Sequence, residues 1–186
     1  MKLKNFNNLL DLFFDQYNKQ DKNKIFLTNL GNPKHKLSWE KTYLTVNHLS
    51  NQISKDIKLG DRCVLISENR PEWMISDLAI MLAGGISVPS YTTYTTKDYE
   101  YIIKDCEPSV IIVSNNIQFN KIKNILDYKK IKKIISFDRL ENLKFQNYLC
   151  IEDIINKKES FENFDSEISL KRSDPACIIY TSGTQG

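Results

Sequence analysis

The residues with the most chemical promise form one short run, Thr181-Ser182-Gly183-Thr184-Gln185-Gly186, directly after the apolar stretch Ala176–Tyr180. Glycine lets backbone N–H groups turn toward an anion and approach it closely, and short hydroxyl side chains add further donors. At the carboxyl end of a parallel strand such a run lies where α/β sheets bind ligands, and polyphosphate is the guest that suits its donors. The same cluster also makes an ordinary turn, and the residue types alone leave both readings open. A Walker A loop is excluded, because that motif needs a Gly-Lys pair and the chain has none. No G-x-G-x-x-G follows a strand-like run either. None of the six residues is a general base or a strong nucleophile.

Other chemically capable side chains read as structural. His35 falls in a polar turn and His48 inside an amphipathic helical pattern, where surface or packing roles are expected. Glu68, Glu72 and Asp77 read as loop and helix-surface carboxylates, and Trp73 as a core anchor. The stretch Tyr91–Thr96, YTTYTT, follows a strand end; it lines a ligand cleft or forms a capped loop. Cys63, Cys106, Cys150 and Cys177 are widely spaced with no CxxC pair, which points to reduced, mostly buried thiols rather than a metal site or disulfide framework. Six lysines between Lys121 and Lys133 invite a nucleic-acid reading. Ile122, Ile125 and Leu126 sit at helical spacing among them, and no aromatic platform accompanies them, so they read as the solvated face of a packed helix.

The bulk numbers set the frame. With 186 residues, 41% hydrophobic and 26% charged, the chain has the composition of a folded globular protein with room for one domain. Twenty-six basic against 23 acidic side chains leave a net charge of +3, too small to argue for nucleic acid or an anionic membrane. The N-terminal apolar run LLDLFF is short and interrupted by Asp11, unlike a secretion signal, and no run nears the ~20 apolar residues of a membrane span. A cytoplasmic location is expected.

The elements that must position the terminal run follow from periodicity. Phe6, Leu9, Leu10, Phe13 and Tyr17 predict a first helix; KIFLTN predicts a strand, Gly31-Asn32-Pro33 a turn, and Ser38 the cap of a helix through Tyr43, Val46, Leu49 and Ile53. Then come the strand RCVLI, a buried helix from Pro71 to Gly84-Gly85 and the strand ISVP. A helix started by Thr95 and Asp98, the strand SVIIVS, a helix over 117–127, the strand KKIISF and the strand ACIIYT complete the series. Residues 140–173 carry no clear period. Alternating strands and helices predict an α/β fold, a parallel sheet with helices on both faces.

With those residues in view, the sequence resembles the AMP-forming adenylating enzymes, the acyl-CoA synthetases and their relatives. YTSGTQG is similar to the start of that family's phosphate-loop signature, Y-T-S-G-T-[ST]-G-x-P-K-G. GDRCVLISENRPEWMISDLAIMLAGGISVPSYTTYT is similar in order and spacing to the long-chain fatty acid branch, and LSWEKTYLTVNHLSNQI resembles the family's early helix. The likeness runs from about Leu9 to Gly186. It implies that residues 1–186 form an incomplete N-terminal portion of the large adenylating domain, with the rest of that domain and a small C-terminal domain lying beyond. It also implies a two-step reaction: ATP and a fatty acid give acyl-adenylate and pyrophosphate, and coenzyme A then displaces AMP. Thr181, Ser182, Gly183 and Thr184 would hold the ATP phosphates, with Gln185 and Gly186 shaping the turn. Magnesium, the adenine and ribose contacts, the acyl pocket and the adenylation lysine belong to segments beyond Gly186, so no catalytic or metal-ligating residue is expected here and the chain alone is expected to be inactive. Gln185 departs from the family's Thr or Ser and removes one hydroxyl. The resemblance is compatible with peripheral membrane association and leaves the oligomeric state open. The alternative is a non-catalytic nucleotide-binding or interaction module derived from the same family.

Overall fold

The computed structural model describes residues 5–156 and 170–181. Five parallel strands form the central sheet: β3 (Arg62–Ile66), β4 (Ile86–Ser90), β5 (Val110–Val113), β6 (Lys133–Ser136) and β7 (Tyr148–Cys150), in the order β4-β3-β5-β6-β7. Val64, Leu65 and Ile66 of β3 and all of β5 are buried, because helices cover both faces. Helices α2 (Trp39–Ser54) and α3 (Pro71–Leu82) enclose one core with α1 (Leu9–Lys19) and α6 (Ile151–Asn156). Helices α4 (Thr96–Cys106) and α5 (Asn116–Ile122) enclose the other. The expected α/β architecture is present.

Local signals explain most boundaries. Ser38 accepts from the Lys41 N–H at 3.1 Å and caps α2. Pro71 opens α3, and Gly84 follows its end with φ +82°, a conformation that favours glycine. Thr95 and Asp98 form a complete capping box on α4.

Several expectations need correction. The turn read at Gly31-Asn32-Pro33 is shorter, and Asn32–Ser38 is instead strand β2, antiparallel to β1 (Ile25–Asn29). The hairpin packs through Phe26, whose ring stacks on Trp39 at 3.7 Å. Helix α5 ends at Ile122 rather than near Asp127. The Ile125 N–H bonds to the Ile122 carbonyl, three residues back, and Tyr128 Oη donates to the Lys123 carbonyl, so the helix unwinds into a turn. The lysine run is therefore not one solvated helix face. Lys133 is buried on β6 and pairs with Asp56 at 2.7 Å, and Lys132 pairs with Asp61. Strand β7 and helix α6 lie in the stretch whose sequence carries no clear period.

The last expected strand is reduced to a single parallel bridge, Cys177 to Ser87 on β4. Ser87 N–H donates to the Ala176 carbonyl at 3.1 Å and Ile178 N–H to the Ser87 carbonyl at 2.9 Å. The next rung would need an N–H two residues along β4. That residue is Pro89, which has none. Cys177 is consequently exposed, unlike the buried Cys63, Cys106 and Cys150.

Candidate functional site

Parallel pairing of Cys177 with Ser87 runs the Ala176–Thr181 segment in the same direction as β4, so Thr181 emerges beyond the carboxyl end of that strand, level with Tyr91. This is the edge of the sheet where α/β folds place ligands. Thr181 is exposed and, with Tyr180, Tyr91, Tyr94, Lys97 and Tyr101, lines a cleft of about 750 Å³. The Tyr91–Thr96 stretch is both of the things its sequence allowed, a capped loop and a cleft wall. Of the six phosphate-loop candidates, Thr181 stands in this cleft; Ser182, Gly183, Thr184, Gln185 and Gly186 lie outside the described residues.

The walls of the cleft are tied together. Tyr94 Oη donates to the Tyr180 carbonyl at 3.0 Å, Tyr99 Oη to the Tyr91 carbonyl at 2.7 Å, and Tyr180 Oη to Asp105 at 2.6 Å. Burial, together with the Asp105 carboxylate, holds the Tyr180 phenol well above its ordinary value, and burial does the same at Tyr94. Both hydroxyls stay protonated donors at neutral pH. Asp98 is held below the usual carboxylate range by its hydrogen bonds from Thr95, keeping the start of α4 anionic and capped.

A second place for a ligand would be the crevice where the strand order reverses, between the carboxyl ends of β3 and β5. Here the chain pairs its own polar groups. Gln118 donates to Glu68 at 2.9 Å, and Arg70 forks onto Asp138 at 2.7 and 2.8 Å while reaching Glu72 at 3.3 Å. His35 Nε2 lies 3.3 Å from Glu72. His35 is thus on strand β2 rather than in a turn, and Glu72 is buried rather than on a helix surface. Asp77 is also half-buried, and burial raises its carboxyl above the ordinary range. A more apolar groove of about 610 Å³, bordered by Leu9, Leu12, Gly60 and Gly85, sits at the amino ends of the strands, away from Thr181. Among the described residues no group of three His, Cys, Asp or Glu side chains could hold a metal ion.

A strand-edge hydroxyl at the head of a Thr/Ser/Gly run, beside an open cleft, is the arrangement that a nucleotide-binding family would share. The family model described as AMP-binding enzyme matches residues 13–186. The chain belongs to the AMP-binding enzyme family. It is 30% identical over 183 residues to the long-chain-fatty-acid–CoA ligase ACSBG2 of Xenopus laevis, covering 94% of this chain and 24% of that one. Against the long-chain-fatty-acid–CoA ligase FadD15 of Mycobacterium tuberculosis it is 26% identical over 140 residues, covering 72% and 22%. The chain thus spans about a quarter of the length of the curated relatives it matches.

Solved structures agree at the level of fold. The anthranilate CoA ligase AuaEII in complex with anthranoyl-AMP superimposes with a TM-score of 0.76 at 23% identity, over 100% of this chain and 35% of that one. Coronafacic acid ligase from Pectobacterium brasiliense gives 0.76 at 20% identity, over 94% and 33%. Within this AMP-binding fold, sequence reasoning missed Asp105 and Tyr180 as partners. A carboxylate nine residues after the Thr96 start of α4 carries no local signal that it will meet a residue 75 positions later.

Proposed function

We propose that this chain forms the N-terminal part of the adenylating domain of a long-chain fatty acid–CoA ligase. The reaction joins ATP and a fatty carboxylate into an acyl-adenylate with release of pyrophosphate, then transfers the acyl group to coenzyme A and releases AMP. The observation that carries the proposal is the position of Thr181. It follows Tyr180 in the Y-T-S-G-T run, at the carboxyl edge of the parallel sheet, and opens onto a cleft. The role assigned to Thr181–Gly186 is to donate hydrogen bonds to the ATP phosphates, where charge accumulates as pyrophosphate leaves. ATP, Mg2+ and coenzyme A are the small molecules of this reaction. Magnesium would neutralise phosphate charge, but the described residues offer it no ligand set, and we assign it to none of them. Free thiols at all four cysteines, with Cys106 pushed up to about 11 by burial, suit the reducing cytoplasm in which we place the protein.

The test is ATP–pyrophosphate exchange driven by palmitate. An enzyme that includes this chain together with the rest of an adenylating protein should catalyse it, and the 186-residue chain alone should not. Exchange by the isolated chain, abolished by changing Thr184, would overturn the proposed division of labour. Failure of the longer enzyme with every fatty acid tried would overturn the activity itself.

A further inference from the structure

The segment that delivers Thr181 is weakly held by its own backbone, because Pro89 ends the ladder after one bridge. Yet Tyr180, the residue before Thr181, is fixed at two points from a single helix and the turn that leads into it. Its carbonyl oxygen accepts from Tyr94 Oη at 3.0 Å, and its own hydroxyl donates to Asp105 Oδ2 at 2.6 Å. Its ring stands edge-on to Tyr101, with centroids 6.1 Å apart and planes at 90°.

The platform behind these contacts is itself braced. The capping box locks the first turn of α4, Tyr99 holds the Tyr91 carbonyl, Thr96 Oγ1 donates to the Lys121 carbonyl at 2.9 Å, and the Lys121 ammonium donates to the Thr92 carbonyl. A carbonyl and the following N–H share one rigid trans peptide plane and point in opposite directions. Holding the Tyr180 carbonyl therefore sets the direction of the Thr181 N–H, the first backbone donor of the loop.

We infer that Tyr94 and Asp105 are positioning residues for the nucleotide loop, orienting the 180–181 peptide plane from α4 and the turn before it, where the sheet cannot. The inference rests on the reading of Thr181–Gly186 as the phosphate-holding loop. Tyr94 and Asp105 touch no phosphate in this role; they act through Tyr180.

Two measurements test it. In the complete adenylating enzyme without ligands, Tyr94→Phe should speed amide exchange in peptides covering 176–186 by roughly fivefold, the effect of one lost hydrogen bond. Tyr128→Phe, which frees the Lys123 carbonyl at the end of α5 instead, should leave that peptide unchanged. Asp105→Asn, whose amide oxygen still accepts from Tyr180, should stay near the parent, whereas Asp105→Ala should match Tyr94→Phe. In the complete adenylating enzyme, Tyr94→Phe should raise KM for ATP about fivefold and leave KM for the fatty acid unmoved. Unchanged exchange at 176–186 in Tyr94→Phe, or equal rises in both KM values, overturns the inference. If the parent enzyme shows no ATP-dependent activity, the phosphate reading fails by itself, and the amide-exchange comparison still decides whether Tyr94 and Asp105 hold residue 180.

Discussion

Arg70 holds two carboxylates whose contributions differ. Asp138 keeps 49% of its side-chain surface in water, whereas Glu72 keeps 3%. An exposed partner can be solvated when the pair is broken; a buried one cannot. Asp138→Asn should therefore cost under about 1 kcal/mol, and Arg70→Leu, which strands Glu72 beside His35, about 3 kcal/mol. Urea midpoints on the same chain give both numbers. Asp77 supplies a pH signature. Burial raises its carboxyl above the ordinary 3.8, so folding favours the protonated acid; this contribution is full below that value and is lost as pH rises through the raised one. Asp77→Asn should be more stable than the parent at pH 7, with the gap closing as pH falls toward 4. A gap that does not change with pH would remove burial as the cause. In the complete enzyme, Thr184→Val deletes one proposed donor to a charged group, a loss of about 1.5–3 kcal/mol. Adenylation should slow roughly ten- to a hundredfold while thioester formation from preformed acyl-adenylate is spared. These side chains were the least legible in the sequence. Glu72 and His35 read as surface groups because their partners come from α3 and β2, elements far apart in the chain, and no local pattern announces a meeting.

Elements were more legible where one signal served one boundary. The apolar runs of β3 and β5, Pro71 before α3 and the Thr95/Asp98 pair before α4 each act within a few residues, so the sequence exposes them directly. Thr95→Ala removes the acceptor of the Asp98 N–H and the shorter of the two hydrogen bonds to the Asp98 carboxylate, leaving the one from the Thr95 N–H. It should cost about 1 kcal/mol, and Asp98→Ala added to it should cost little more, since the two form one unit. A thermal-unfolding double-mutant cycle reads that coupling. Strand β2 escaped notice because Pro33 and five polar residues make it look like a turn; it is held by pairing with β1 rather than by burial. β7 and α6 are only three and six residues long, below the length at which periodicity can speak.

At the scale of the molecule, the α/β order followed from the alternation of elements, but the fate of the last strand did not. ACIIYT has the composition of a buried strand, yet Ile178 and Ile179 are 36% and 59% exposed on the rim of β4. An apolar segment on an open edge is a template for association. The isolated chain should self-associate in sedimentation, and Ile179→Lys should reduce that markedly. A parent chain that sediments as a monomer at every concentration tried would contradict the expectation. Among the described residues no helix is long and apolar enough to cross a membrane.

Pro89 has a bearing on synthesis as well as on the finished fold. The edge of β4 and the segment that docks on it are far apart in the chain: Tyr94 and Tyr180 are 86 residues from one another. At roughly 5–20 residues per second, a ribosome leaves that edge without its eventual neighbour for about ten seconds. Through that interval a nascent β4 would offer any passing strand a row of donors and acceptors, and a proline facing the open side interrupts the row. The residue that later shortens the docking of the Ala176–Thr181 segment is, during translation, a guard against the wrong partner arriving first.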